Sequence, residues 1–165
     1  MDRAEQAAQQ WAREYPELDT RAMVLLGRLG EVALVIARDR LNPLFARFGL
    51  QPGEFDVLAT LRRSGAPYAL TPTALYEAAM ISSGSMTNRI DRLEKAGLVE
   101  RRPHPFDKRG TLVALTIDGL TLIERAVLAH VENQREVVGT LDLEEQAQLS
   151  ALLAKLMRLD DRGLE

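Results

Sequence analysis

The chain contains no cysteine, which at once removes disulfides, thiolate metal sites, a cysteine nucleophile and any thiol-based oxidant sensor. Aromatic residues are scarce at 5%, so the core has to be built from Leu, Val, Ile and Ala, a composition that favours helices. No run approaches the ~20 apolar residues of a membrane helix. The stretch from Met1 to Gln10 is polar and carries acids, unlike a signal or transit peptide. A cytoplasmic protein without a membrane partner is expected. Histidine is limited to His104 and His130, and there is no Ser-His-Asp order, phosphate loop or HExxH motif. An enzyme needs convergent groups, so the chain reads as a non-enzyme with no cofactor and no metal site. Each histidine reads as a surface or packing residue, and the scattered acids as solvated helix faces.

With 165 residues, the chain suffices for one domain, or for a small domain with helical extensions used in assembly. A net charge of −3 argues against a basic surface overall, but charge that binds DNA can be local. Between Ser82 and Gly110 seven basic residues (Arg89, Arg92, Lys95, Arg101, Arg102, Lys108, Arg109) face four acids (Asp91, Glu94, Glu100, Asp107), a local +3 that leaves −6 on the remainder.

Residues 1–48 read as an N-terminal extra helix followed by a long dimerisation helix. Asp2 to Glu14 forms the first, with Trp11 as its single large apolar residue, and Tyr15-Pro16-Glu17-Leu18-Asp19 breaks it. The second runs from about Thr20 to Ala46, where Met23, Leu26, Leu29, Val32, Ala33 and Ile36 make one apolar stripe. Residues 49–116 read as a winged helix-turn-helix. Pro52 suits the first turn of a helix carrying Phe55, Leu58 and Leu61. Thr71-Pro72 opens a short helix, and Ser82 or Ser83 caps the next, which continues through Met86, Ile90 and Leu93 to Gly97. After Gly97 the period changes: residues 98–102 and 111–115 are extended, the turn between them is basic, and together they predict a β-hairpin. Residues 117–165 return to helical period as two C-terminal dimerisation helices. Leu120, Ile123, Val127, Val131 and Val138 line the first; Leu149, Leu152, Leu153 and Leu156 line the second, which opens on a capping-box-like Asp142 and Glu145. The fold expected is mainly α with a small β-hairpin wing.

The candidate recognition helix, Ser82 to Ala96, starts with Ser82, Ser83, Ser85, Thr87, Asn88 and Arg89, hydrogen-bonding residues suited to phosphates and base edges in a major groove. Arg109 at the hairpin tip suits a narrow minor groove, with Asp107 placed to orient it. Alternatively the small polar residues only cap a surface helix and the wing pair is a solvated turn. Trp11 presents either a flat apolar surface with one N–H donor for a planar heterocycle or an anchor for the extra helix.

The run Thr87 to Arg102, followed by Asp107-Lys108-Arg109-Gly110 and Leu115-Thr116-Ile117-Asp118-Gly119, resembles the multiple antibiotic resistance regulator (MarR) family. That resemblance implies a homodimer formed by the terminal helices, recognition helices in consecutive major grooves of a double-stranded operator, and release by a small ligand. It also implies DNA contacts from Arg89, the polar residues before it and Arg109. In its extra helix with Trp11, in Asp56 within Glu54-Phe55-Asp56-Val57-Leu58, and in Arg89 and Arg101, the chain further resembles the urate-responsive branch. That likeness implies a repressor released by urate or a related planar anion, with Trp11 and Arg101 holding the effector and Asp56 passing the disturbance to Arg89. The alternatives are an effector of the phenolic or aromatic carboxylate type, and a winged-helix protein-interaction module that does not bind DNA.

Overall fold

The computed structural model describes residues 1–79, 86–107 and 110–158. Helix α1 (Arg3–Glu14) is capped by Asp2, whose side chain accepts a hydrogen bond from the Glu5 amide at 2.9 Å and so satisfies one of the N–H groups that a helix start leaves unpaired. It packs on α2 (Arg21–Ile36). Small residues set that approach: a Cβ on Gly27 would stand 3.0 Å from the Ala4 Cβ. Arg28 reaches Asp2 at 2.7 Å and Glu5 at 3.6 Å, exposed pairs that guide the packing more than they stabilise it.

The long helix expected from Thr20 to Ala46 is not uninterrupted. α2 passes through a π-helical turn, Ala37–Leu41, into α3 (Asn42–Ala46). Pro43 accounts for the change, because it has no N–H for the carbonyl four residues earlier and its ring would strike that carbonyl, so the preceding turn widens.

Helix α4 (Glu54–Arg63) starts later than expected. Pro52 precedes it, and Gly53, with φ of +83°, makes the turn into the helix in a conformation that glycine alone adopts freely. α5 (Pro72–Ala78) begins as expected, the Thr71 hydroxyl accepting from the Ala74 amide at 3.1 Å. α6 (Met86–Lys95) stops before Gly97, which has φ of +71°. Ser82 and Ser83, the expected caps of this helix, lie outside the described residues.

The expected hairpin is β2 (Val99–Pro103) and β3 (Thr111–Leu115), antiparallel from Val99↔Leu115 to Pro103↔Thr111. An unexpected strand, β1 (Ala69–Leu70), pairs with the other edge of β3, giving the order β1-β3-β2. At the root of the hairpin, α7 (Ile117–Val138) presses on the chain so closely that a Cβ on Gly119 would lie 1.9 Å from the Leu98 carbonyl oxygen. This contact seats the wing on the helix. α8 (Leu143–Met157) carries the full capping box: Asp142 accepts from the Glu145 amide, and Glu145 from the Asp142 amide, each at 2.9 Å.

The core is built by α3 to α7 together with β2 and β3. Val57, Leu58, Leu61, Leu75, Leu93, Val99, Val113 and Ile123 are its most deeply buried large side chains. By contrast α1, α2 and α8 bury no residue. Their Leu25, Leu26, Leu29, Val32, Leu149, Leu152 and Leu156 are exposed, as are Val131 and Val138 at the far end of α7. Among the described residues no helix is long and apolar enough to cross a membrane.

Candidate nucleic-acid interface

Helices α4, α5 and α6 with the hairpin form a winged helix-turn-helix, in which α6 is the helix placed to read DNA. Thr87 and Asn88, in its first described turn, are exposed. Ser82, Ser83, Ser85 and Arg109 lie outside the described residues.

Arg89, expected both to contact DNA and to answer Asp56, is directed toward the start of α4. Its guanidinium lies over Gly53, where a Cβ would come within 2.5 Å of Nε, and its Nη1 is buried with no hydrogen-bond partner among the described residues. A buried N–H of a guanidinium left without a hydrogen-bond partner is costly, so the charge of nearby Asp56 matters. Burial pushes the Asp56 carboxyl above its ordinary range, against the pull of His130, Arg89 and Arg63. Burial pushes the His130 imidazole below its ordinary value, against the pull of Asp56. His130 packs against Phe55 and Phe45, with ring centroids 4.7 and 5.5 Å apart, and its Nδ1 is likewise buried and unpartnered among the described residues. The junction of α4, α6 and α7 thus concentrates imperfectly compensated charge directly beneath the DNA-reading helix.

A second link fixes α6 to the start of α4. The Glu54 side chain, only 6% exposed, accepts from Arg92 Nε at 2.8 Å and from the Gln51 amide at 2.6 Å. Arg63, at the other end of α4, donates to the Ala78 carbonyl and to Thr60 Oγ1, tying down the end of α5.

Three of the basic residues counted between Ser82 and Gly110 are engaged within the fold. Arg92 faces Glu54, Arg102 faces Glu100, and Arg101 donates to Asp91 at 2.5 Å and to Glu94. The hydrogen bond to Asp91 is the main cause that holds the Arg101 guanidinium above its ordinary value. Arg101 is therefore a clamp between β2 and α6. At the wing tip, Asp107 is exposed and its amide donates to His104 Nδ1 at 3.1 Å.

Of the four residues expected around an effector, Asp56 and Arg89 come together. Arg101 is held on the outer face of α6 by its acids. Trp11, 41% exposed, lies on α1 beside Tyr15 at 5.8 Å, and no described contact joins it to Arg101 within one chain. Sequence reasoning missed the roles of Glu54 and Gly53, whereas His130, read as a surface or packing residue, packs on Phe45 and Phe55. His130 had a usable signal, since Ile123, Ala126 and His130 follow the three- and four-residue spacing of one helix face. Among the described residues, no group of three or more His, Asp or Glu is placed to hold a metal ion.

Residues 48–110 match the model of the MarR family. The chain is 44% identical over 148 residues to the HTH-type transcriptional regulator PecS of Dickeya dadantii, covering 90% of this chain and 89% of that one. It is 34% identical over 122 residues to the multiple antibiotic resistance protein MarR of Salmonella typhimurium, covering 73% of this chain and 83% of that one. The structure is similar to a mutant MarR from E. coli complexed with operator DNA, at TM-score 0.70 and 31% identity, covering 88% of this chain and 96% of that one. It is also similar to a MarR family transcriptional regulator from Streptomyces coelicolor in complex with DNA, at TM-score 0.75 and 26% identity, covering 86% and 88% of the two chains. These relatives are transcriptional regulators, not enzymes.

Proposed function

The chain belongs to the MarR family of transcriptional regulators, and from that membership we propose that it acts in the cytoplasm as a homodimeric repressor, releasing its operator when a small planar anion such as urate binds. Residues 1–48 and 117–165 are the dimer-forming arms and residues 49–116 the DNA-binding unit. The arms leave whole apolar stripes of α2 and α8 uncovered, more contiguous surface than a lone subunit is expected to present to water. Two-fold symmetry then calls for a pseudo-palindromic site with half-sites about one helical turn apart.

One observation carries the ligand response. α6 presents Thr87 and Asn88 outward while Arg89, on the same helix, is seated in the junction with Asp56 and His130. A disturbance of that junction therefore shifts the helix that reads DNA. An anion engaging Arg101 competes with Asp91 and Glu94 and loosens the clamp between wing and α6, while Trp11 offers an exposed ring as a second contact. Coupling of ~1–3 kcal/mol between the sites changes affinity ~5–150-fold, enough for release.

The test is gel-shift titration of a duplex from the gene's own upstream region with urate, xanthine and salicylate, for wild type, Trp11→Ala and Arg101→Ala. Urate is expected to release wild type, and each mutant to need more of it. Release by salicylate alone favours an aromatic carboxylate effector. If no ligand acts at millimolar concentration, or both mutants respond as wild type does, the effector assignment is wrong; a protein that shifts no duplex is an interaction module instead.

A further inference from the structure

Phe106, at the tip of the wing, is 94% exposed, more than any other large apolar side chain among the described residues. A single exposed apolar residue needs no explanation by itself, but this one is mounted. His104 Nδ1 accepts from the Phe106 amide at 3.2 Å and from the Asp107 amide at 3.1 Å. The His104 amide donates to the Gly110 carbonyl at 2.9 Å, and the Gly110 amide returns a bond of the same length to the Asp107 carbonyl. The two rings meet near edge-on, with centroids 6.3 Å apart and planes at 68°. Gly110 closes the arrangement, since a Cβ there would lie 2.9 Å from the His104 Cβ.

Two backbone amides gathered on one imidazole nitrogen hold the peptide that carries Phe106 in one shape, so little freedom remains to be lost when the ring is covered. Nothing in the described chain covers it. In a winged helix the hairpin tip lies along the duplex, and the walls of the minor groove are deoxyribose C–H surface that an apolar ring can pack against. We propose that Phe106 is a DNA-contact residue that packs on these sugars, and that His104 is the positioning residue that holds it there. The inference rests on the DNA-binding reading of the wing. Such a contact adds affinity without releasing counterions and without discriminating between bases.

The test is fluorescence anisotropy of the full-length protein on the upstream duplex across a range of salt. Phe106→Ala is expected to bind about five- to tenfold more weakly at each salt concentration, with the slope of log affinity against log salt unchanged. Phe106→Leu should recover most of the loss. His104→Ala should lose as much as Phe106→Ala, and the double variant no more than either, because the two residues act as one unit. His104→Asn, whose amide oxygen can accept the same two bonds, should bind as wild type does. Arg109→Ala is the comparator: its loss of a phosphate or groove cation should lower both affinity and slope. If Arg109→Ala weakens binding and Phe106→Ala does not, the ring is no contact and the proposal fails while the wing reading stands. If Phe106→Ala changes the slope as Arg109→Ala does, the ring only places cations and the proposal also fails. If neither variant weakens binding, both readings fail.

Discussion

Replacing Gly53 by alanine tests whether the junction beneath α6 sets the recognition helix. Gly53 has φ of +83°, where an L residue costs about 1–2 kcal/mol. The new Cβ would also come 2.5 Å from Arg89 Nε, 2.7 Å from Cζ and 3.0 Å from Nη2, well inside the ~3.5 Å at which such atoms attract one another. The guanidinium is the far end of a flexible side chain, so it yields, but in moving it leaves its seat near Asp56. A rotamer forced off its minimum adds about 0.5–1.5 kcal/mol, for a total loss of about 1.5–3.5 kcal/mol. Gly49→Ala isolates the backbone part, because Gly49 has φ of +71° with nothing within 4 Å of the Cβ position. Urea unfolding of both variants at one protomer concentration, with DNA affinity measured alongside, should place Gly53→Ala below Gly49→Ala in stability and leave only Gly53→Ala weakened on DNA. Adding Arg89→Ala to Gly53→Ala should remove the excess loss. Equal stability and equal DNA affinity of the two glycine variants would refute the seating of Arg89 on Gly53.

Polar replacement of Leu152 together with Leu156, both exposed on α8, is expected to break the dimer or prevent folding; a variant that sediments as a dimer of wild-type stability would count against the assembly. Glu54→Ala removes the partner of Arg92 and of the Gln51 amide and should cost about 2 kcal/mol, less than a fully buried pair because Arg92 regains water, and Glu54→Gln should cost less, as chemical denaturation can check. Burial holds the His130 imidazole below its ordinary value of 6.5, so the unfolded chain takes up that proton first and stability falls as pH drops from about 6.5 toward the lower folded value. His130→Phe should remove this loss, and urea midpoints followed downward from neutral pH would contradict the reasoning if the variant fell as steeply as wild type.

Features closed within a few residues of chain were legible in the sequence. The Thr71 and Asp142 caps, the stop at Gly97 and the change of period that marks β2 and β3 all appear where residue type and spacing place them, because a helix end or a tight turn is satisfied by its own neighbours. The apolar stripes of α2 and α8 were legible for a similar reason: helical period alone aligns them on one face.

Tertiary structure decided the rest. β1 is two residues long, too short to show alternation, and exists because β3 offers it an edge. The turn before Pro43 widens into a π turn only because the helix continues past the proline instead of ending there. Where the residues offered for ligand or DNA came to rest was also a tertiary matter: Arg89 lies over Gly53 near Asp56, Arg101 is closed on Asp91 and Glu94, and Trp11 lies beside Tyr15 on α1. Glu54 found Arg92 from 38 positions away. Sequence by itself determined the main helices, the β2–β3 hairpin and which faces are apolar, since those follow from local hydrogen bonding and side-chain period. Where each charged side chain ends up depends on which opposite charge, carbonyl or glycine another element brings within a few ångströms, and only the packed fold supplies that.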